Sequence, residues 1–280
     1  MDKKEFLEKA NDEEIIQIIG QTLDKMQIES IKLSNIAFES CYINSVSFKE
    51  SDMSNIQFSD TKFNEVEFSN TRLTGDEIDF QGEFHMCNFN NAKIEYIAFR
   101  DSVISDCSFQ STFYKLGVID GCIIMNTSFA KSNLEETSYW GKSIDNSDFS
   151  SSNICKGSFH HVELSNCNFN GCAMDKSGFS SCTIKDSELS HSSLMNSFSS
   201  RSVFINSNLA RSNMRDNEFT NCKFYKVDWS NGNIENVVFR RCDVQDIDFT
   251  NTSFKSVQFL SCKVSSEKFT KEQLENCEFA

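Results

Sequence analysis

The 280-residue chain contains no proline, although average usage of about 5% would supply roughly fourteen. Proline cannot donate to a β-ladder, so its absence suits a chain built from internal, paired strands. Glycine is sparse at ten residues, which excludes a Gly-rich phosphate loop and leaves few backbone cradles. Only four histidines occur (His85, His160, His161 and His191), without the spacing of a metalloprotease helix or a zinc finger. His160 and His161, as neighbours on a strand, would point in different directions and share no metal. There is no G-x-S-x-G elbow. Carboxylate pairs such as Glu135 and Glu136 lie outward, with no pocket to raise a pKa. No stretch is long and apolar enough to cross a membrane. The expectation is a protein that is not an enzyme and holds no cofactor and no metal.

What is present is a period of five. From Phe84 to Phe279 a large apolar residue stands at every fifth position, forty in succession, broken only at Ser199 with Phe198 beside it. The same period runs from Ile28 through Leu33, Phe38, Ile43 and Phe48 to Ile78, one residue out of step. Five is neither the helix period of 3.6 nor the strand period of 2, and fixed-period self-similarity marks a repeat architecture. Two residues before each large centre sits a small one, as at Cys87, Ala92, Ser102, Cys107 and Thr112. One large and one small inward residue per five suit a chain that turns a corner every few residues. Four such sides close a coil of about twenty, with each strand stacked roughly 4.8 Å from its equivalents above and below.

Folded into twenties, one side carries Phe89, Phe109, Phe129, Phe149 and Phe169, and the opposite side Phe99, Phe159, Phe179, Phe219 and Phe239. The remaining sides are mostly aliphatic, for example Ile104, Ile124, Ile144, Leu164 and Ile184. Alternating aromatic and aliphatic sides would fill one core consistently.

These residues resemble the pentapeptide-repeat family, whose repeats take the form A-(D/N)-L-x-x. The small residues match the first position, Asn88, Asp148, Asn153, Asn168, Asn208 and Asn213 the second, and the large residues the third. This chain prefers Ser or Cys to Ala, and Phe or Ile to Leu. The resemblance implies an all-β solenoid, a right-handed four-sided parallel β-helix, here with an N-terminal α-helical cap. The expected organisation is a cap over residues 1–26, a first repeat segment over 27–78, a register-shifting loop at 79–83, and a second segment of the same solenoid over 84–280. Fifty-one centres then predict nearly thirteen coils, about 60 Å long.

Eleven of the twelve cysteines fall at the small inward position, where a thiol serves as a small hydrophobe; Cys155 is expected outward. Cys222, Cys242 and Cys262 should stack on one side with parallel Cβ vectors, awkward for a disulfide and unsuited to tetrahedral zinc. Many free cysteines without a leader sequence are expected of a reducing cytoplasm.

Function should lie where the period fails. Phe6, Leu7, Ile15, Ile16, Ile18, Ile19, Leu23 and Met26 predict one or two amphipathic helices, capped at Asn11 or Asp12. Asp76 would point inward if the first run continued, and Thr74 with Glu77 has capping-box spacing, so a helical turn or loop is expected near 74–83, exposing Phe80. Lys142 falls at an inward position, which predicts that Tyr139, Trp140, Gly141 and Lys142 bulge outward. Phe198 and Ser199 exchange roles, which predicts a second bulge. Thr270 and Gln273 predict a short helix or an apolar last coil. Val103, Ile123, Met125, Val203 and Ile205 form an outward apolar strip on one side, a candidate contact surface. The chain stops inside a repeat, as a piece of a longer protein would.

The net charge is −14; residues 1–80 hold 17 acids and 8 bases, residues 81–280 hold 24 and 19. The leading expectation is a non-catalytic protein-protein interaction scaffold with an unidentified protein partner. The candidate contacts are Phe80, Tyr139, Trp140, Lys142, Val103, Ile123, Met125 and Ile205. The resemblance implies an alternative, since some family members mimic duplex DNA and protect a type II topoisomerase (DNA gyrase or topoisomerase IV). Against it, Lys185, Lys223 and Lys226 interrupt acids such as Asp145, Glu163 and Asp186, and one side gathers Arg100, His160, His161, Arg201, Arg240 and Arg241. A further alternative is an adaptor or effector domain. Direct nucleic-acid and membrane binding are not expected. The family resemblance also implies a homodimer through a solenoid end, with Phe279 as the contact.

Overall fold

The computed structural model describes residues 1–10, 15–244 and 246–280, apart from the side chains of Asp76, Glu77 and Ser266. Two compact units emerge, Met1–Trp140 and Gly141–Ala280. Each is a four-sided parallel β-solenoid with a core of stacked large side chains.

In the N-terminal unit, Ile16–Ile19 pairs in parallel with Lys32–Glu39, and that strand with Asp52–Asn64. The ladder continues through Arg72–His85, Lys93–Arg100, Val118–Asp120 and Ser138–Trp140. One core column therefore reads Ile18, Phe38, Phe58, Phe80, Phe99, Ile119, Tyr139, all buried. A second column is the expected phenylalanine stack: Phe48, Phe68, Phe89, Phe109 and Phe129 lie ring on ring at 4.4–5.4 Å. Offset stacking at this spacing contributes about 0.5–1.5 kcal/mol per pair beyond burial.

The helical cap is shorter than the sequence implies. Among the described residues of the cap only Lys3–Ala10 is helical, and Phe6 buries its ring against Phe38 at 6.2 Å. Ile16–Ile19 and Thr22–Asp24 are already strands of the solenoid, with Ile18 and Leu23 inside. Ile18 and Leu23 extend the period of five upstream of Ile28, while the neighbouring Ile15, Ile16 and Ile19 let the same stretch satisfy a helical pattern. The expected cap at Asn11 or Asp12 lies outside the described residues.

The seam is a strand and not a loop. Arg72–His85 runs unbroken; its register slips by two residues between Thr74 and Ile78 and returns one between Phe80 and Gly82, a net gain of one. Beyond it Phe63 faces Phe84 and Leu73 faces Ile94, twenty-one residues apart instead of twenty. Phe80 is consequently buried, edge-on to Phe58 at 4.7 Å and to Phe99 at 5.4 Å, and not exposed as expected. Gly82 makes this possible: a Cβ there would stand 2.0 Å from the Thr61 carbonyl oxygen. The inward placement of Asp76 and the Thr74–Glu77 box lie outside the described side chains.

In the C-terminal unit Ser158–His160, Gly178–Ser180, Phe198–Ser200, Glu218–Thr220, Val238–Arg240, Val257–Leu260 and Cys277–Phe279 form one parallel ladder. Phe198–Ser200 keeps perfect register with both neighbours, so no bulge forms. Ser199 points inward and Phe198 outward. The room left between Phe179 and Phe219 is taken by Phe204 from the adjoining side, with ring centroids 6.1 and 6.5 Å away. Near the end, Thr270 caps the helix Lys271–Glu275 through a reciprocal box with Gln273. Gln273, not the expected Leu274, turns inward and donates to the Phe249 and Thr252 carbonyls at 2.9 Å each, leaving Leu274 exposed.

Two local devices recur in both units. The second residue after most centres turns the corner in the left-handed α region, commonly Asn, Asp, Ser or Gly. The inward small residue bonds to the coil before it. Thr112 Oγ1 donates to Phe89 O at 2.8 Å, Cys172 Sγ to Phe149 O at 2.9 Å and Ser202 Oγ to Phe179 O at 3.1 Å. Alanine cannot make that bond, which accounts for the preference for Ser, Thr and Cys.

Candidate interaction surface

Corner positions normally hold short polar residues because an L-residue in the left-handed region crowds its own Cβ. Tyr96 and Leu116 break that rule on stacked coils of the N-terminal unit, with φ of 59° and 54°. They stand 55% and 41% exposed. Beside them Ala98 faces Val118 and Arg100 faces Asp120 across the ladder. Tyr96, Leu116, Ala98, Val118 and Arg100, together with Asp79 and Ile97, line an open groove of about 530 Å³. Trp140, 44% exposed, extends the same outward row from Asp120.

The groove floor is held from inside. Tyr114 sends its hydroxyl to Ile97 O at 2.9 Å and Val118 O at 3.2 Å, and burial pushes its phenol well above the usual range, so it remains a donor. Gly117 makes room for that ring, since a Cβ there would lie 2.2 Å from it. At the rim Arg100 Nε donates to Asp79 Oδ1 at 2.7 Å, and its guanidinium also reaches Asp120 Oδ2 at 3.1 Å. The Asp79 hydrogen bond raises the already high Arg100 pKa. An apolar hollow flanked by a guanidinium fixed between two carboxylates can take an apolar side chain of a partner. Among the described residues no three ligating side chains converge, and no helix is long and apolar enough to cross a membrane.

The expected contacts are distributed differently. Trp140 is exposed beside Asp120, whereas Tyr139 is buried in the core column, because Ser138–Trp140 keeps register with Val118–Asp120 and does not bulge. Lys142 is exposed: it and Gly141 both turn with positive φ, which keeps the ammonium out of the core. Val103 and Ile123 are ladder neighbours with Met125 close by, all half-buried. Ile205 and Val203 lie in the C-terminal unit beside Lys185, Lys223 and Tyr225. Phe279 is 41% exposed on the last strand and stacks on Phe259 at 5.3 Å. Cys155 is half-buried on the outer side. The expected contacts do not include Tyr96 and Leu116. A large apolar residue at a corner position, two after its centre, is the signal that would have found them.

The family description "Pentapeptide repeat region" matches residues 162–249 and 212–280, and "Pentapeptide repeats (8 copies)" matches residues 41–75, together more than half of the chain. The chain belongs to the pentapeptide-repeat family. Among solved structures it is similar to full-length QnrB1, a plasmid-mediated fluoroquinolone resistance protein, at 13% identity over 91% of this chain and 98% of that one, with a TM-score of 0.30. It is also similar to HetL, involved in heterocyst differentiation regulation in the cyanobacterium Nostoc, at 12% identity over 94% and 92%, with a TM-score of 0.22. The periplasmic alginate epimerase AlgG, as its D317A mutant, aligns at 7% identity over 95% and 83%, with a TM-score of 0.44. Among curated proteins, none matches the chain.

Proposed function

We propose that this protein is a non-catalytic binding scaffold that docks another protein on the Tyr96–Leu116 side of its N-terminal unit. The observation that carries this reading is the pair of bulky apolar residues held, at conformational cost, on stacked corners over a groove. Residues 1–140 hold 24 acids and 12 bases, so the complementary partner presents an apolar side chain among basic ones. The test is affinity capture from native lysate with the intact chain and with Tyr96→Asn and Leu116→Asn. A protein retained by the parent and lost from both variants is expected. Equal capture by all three sinks the reading.

The same excess of 12 carboxylates favours a second reading, mimicry of DNA toward a type II topoisomerase. Lys62–Glu83 at 2.9 Å and Arg100 between Asp79 and Asp120 interrupt the acidic surface, which places this reading second. A gyrase supercoiling assay with a fluoroquinolone decides it; no protection at stoichiometric excess removes the mimic.

A further inference from the structure

A second surface lies in the C-terminal unit, on the side formed by Ser158–His160, Gly178–Ser180 and Phe198–Ser200. Within the three coil faces 156–161, 176–181 and 196–201 there are five basic or titratable nitrogenous side chains and no carboxylate. Lys156 and Lys176 occupy one corner, His161 and Arg201 the other, with His160 between them. An acid-free face is unexpected on a chain of net charge −14. The other outward side chains here are mostly Ser or Gly, so the surface is flat and hydroxyl-rich.

From that flat surface one ring projects. Phe198 is 50% exposed, although the neighbouring position points into the core. Exchanging Phe198 with Ser199 would restore the repeat and bury the ring, yet the ladder keeps its register and Phe204 fills the interior instead. The exposure is thus matched by a compensating core residue and is not a packing accident. Facing Phe198 across the ladder is Gly178, where a Cβ would stand 2.2 Å from the Phe198 carbonyl oxygen. Only glycine lets the two backbones approach this closely here. Glu218, hydrogen-bonded by Arg240 at 3.3 Å, bounds the face on its far side.

We propose that this face docks a short, extended Asp/Glu-rich segment of a partner protein, with Phe198 as the apolar anchor and Lys176 and Arg201 as its charge contacts. A nucleic-acid strand fits less well, because successive bases require successive aromatic platforms and only one ring projects here. A long polyanion would also meet the net negative charge of the chain, whereas a short segment needs only a few carboxylates. The face is independent of the Tyr96–Leu116 groove, and either assignment survives the failure of the other.

The test uses the intact chain and a fluorescein-labelled peptide of alternating Glu and Ser around a central Leu, followed by fluorescence anisotropy at low and high salt. The peptide should bind, and its counterpart with Gln for Glu should not. Arg201→Glu should weaken binding roughly ten-fold or more and flatten its salt dependence. Phe198→Ser should weaken binding by a similar factor and leave the salt dependence in place. Thermal unfolding verifies that both surface variants fold, and Lys176→Glu supplies a second charge variant. Absence of peptide binding overturns the proposal, as does binding unchanged in all three variants. Tighter binding of oligodeoxythymidylate, lost in the same variants, overturns it in favour of nucleic acid.

Discussion

Leu116 and Tyr96 adopt a backbone conformation that costs a bulky L-residue about 1 kcal/mol or more relative to glycine or asparagine. Leu116→Asn should therefore raise the free energy of unfolding by about 1 kcal/mol while abolishing partner capture, a trade between stability and binding. Denaturant unfolding measures the first half; a variant less stable than the parent contradicts the assigned strain. Trp229 offers a contrasting case. Its indole nitrogen is buried without a hydrogen-bond partner, in a column that elsewhere holds Phe149, Phe169 and Phe249. Losing an unsatisfied donor offsets the lost volume, so Trp229→Phe should fall within about 1 kcal/mol of the parent, against about 3–5 kcal/mol for Trp229→Ala. Ser199 and Phe204 form a coupled pair across the core. Ser199→Phe should destabilise by about 1–3 kcal/mol through overpacking, and Phe204→Ile in the same chain should recover most of it. Additive effects in that double-mutant cycle would refute the compensation.

Among the elements, the seam strand Arg72–His85 depends on close backbone approach at Gly82. Gly82→Ala should cost about 1–3 kcal/mol or shift the register, visible as a lowered melting temperature. The seam also shows what the sequence could convey. Phe84 and Phe89 announced the columns because a period of five admits no ordinary helix or strand, and the columns followed from that spacing except at the seam, where Phe80 takes the inward place that the period gives to Ile78, and near the end, where Gln273 replaces Leu274. The one-residue slip before Phe84 was equally visible. How the slip is absorbed was not, because a loop and a bulged strand have the same residue count, and only the Thr61 oxygen beside Gly82 distinguishes them. Ile16–Ile19 was misread for a similar reason: four apolar-rich residues satisfy helix and strand periods alike. Tyr96 and Leu116 escaped notice because a corner projects outward, where hydrophobic patterning carries no instruction about identity.

At the scale of the whole chain, charge is divided between the units: 24 acids and 12 bases in residues 1–140, 17 and 15 in residues 141–280. Partners selected by charge should accordingly differ between the two units, and capture through residues 1–140 should weaken as salt approaches 1 M. Alkaline stability is set by the core thiols. Burial pushes Cys167 and Cys172 from 9.0 up to about 12. A folded pKa above the unfolded value means the contribution is complete below pH 9 and is lost as pH rises toward 12. Each thiol removes at most about 1.4 kcal/mol per pH unit in that window. The melting temperature should drop from pH 9 upward, and less steeply in Cys167→Ser/Cys172→Ser, whose hydroxyls repeat Ser187 and Ser192 of the same columns. Identical slopes in parent and variant would show that these thiols do not govern alkaline unfolding.

The inward small position treats serine, threonine and cysteine as equivalents, since each reaches the carbonyl of the coil before it. Substitution among the three costs little, so their proportions can wander by neutral drift over evolutionary time. A dozen cysteines in such a lattice record that drift, and their number is no longer evidence for a reducing compartment.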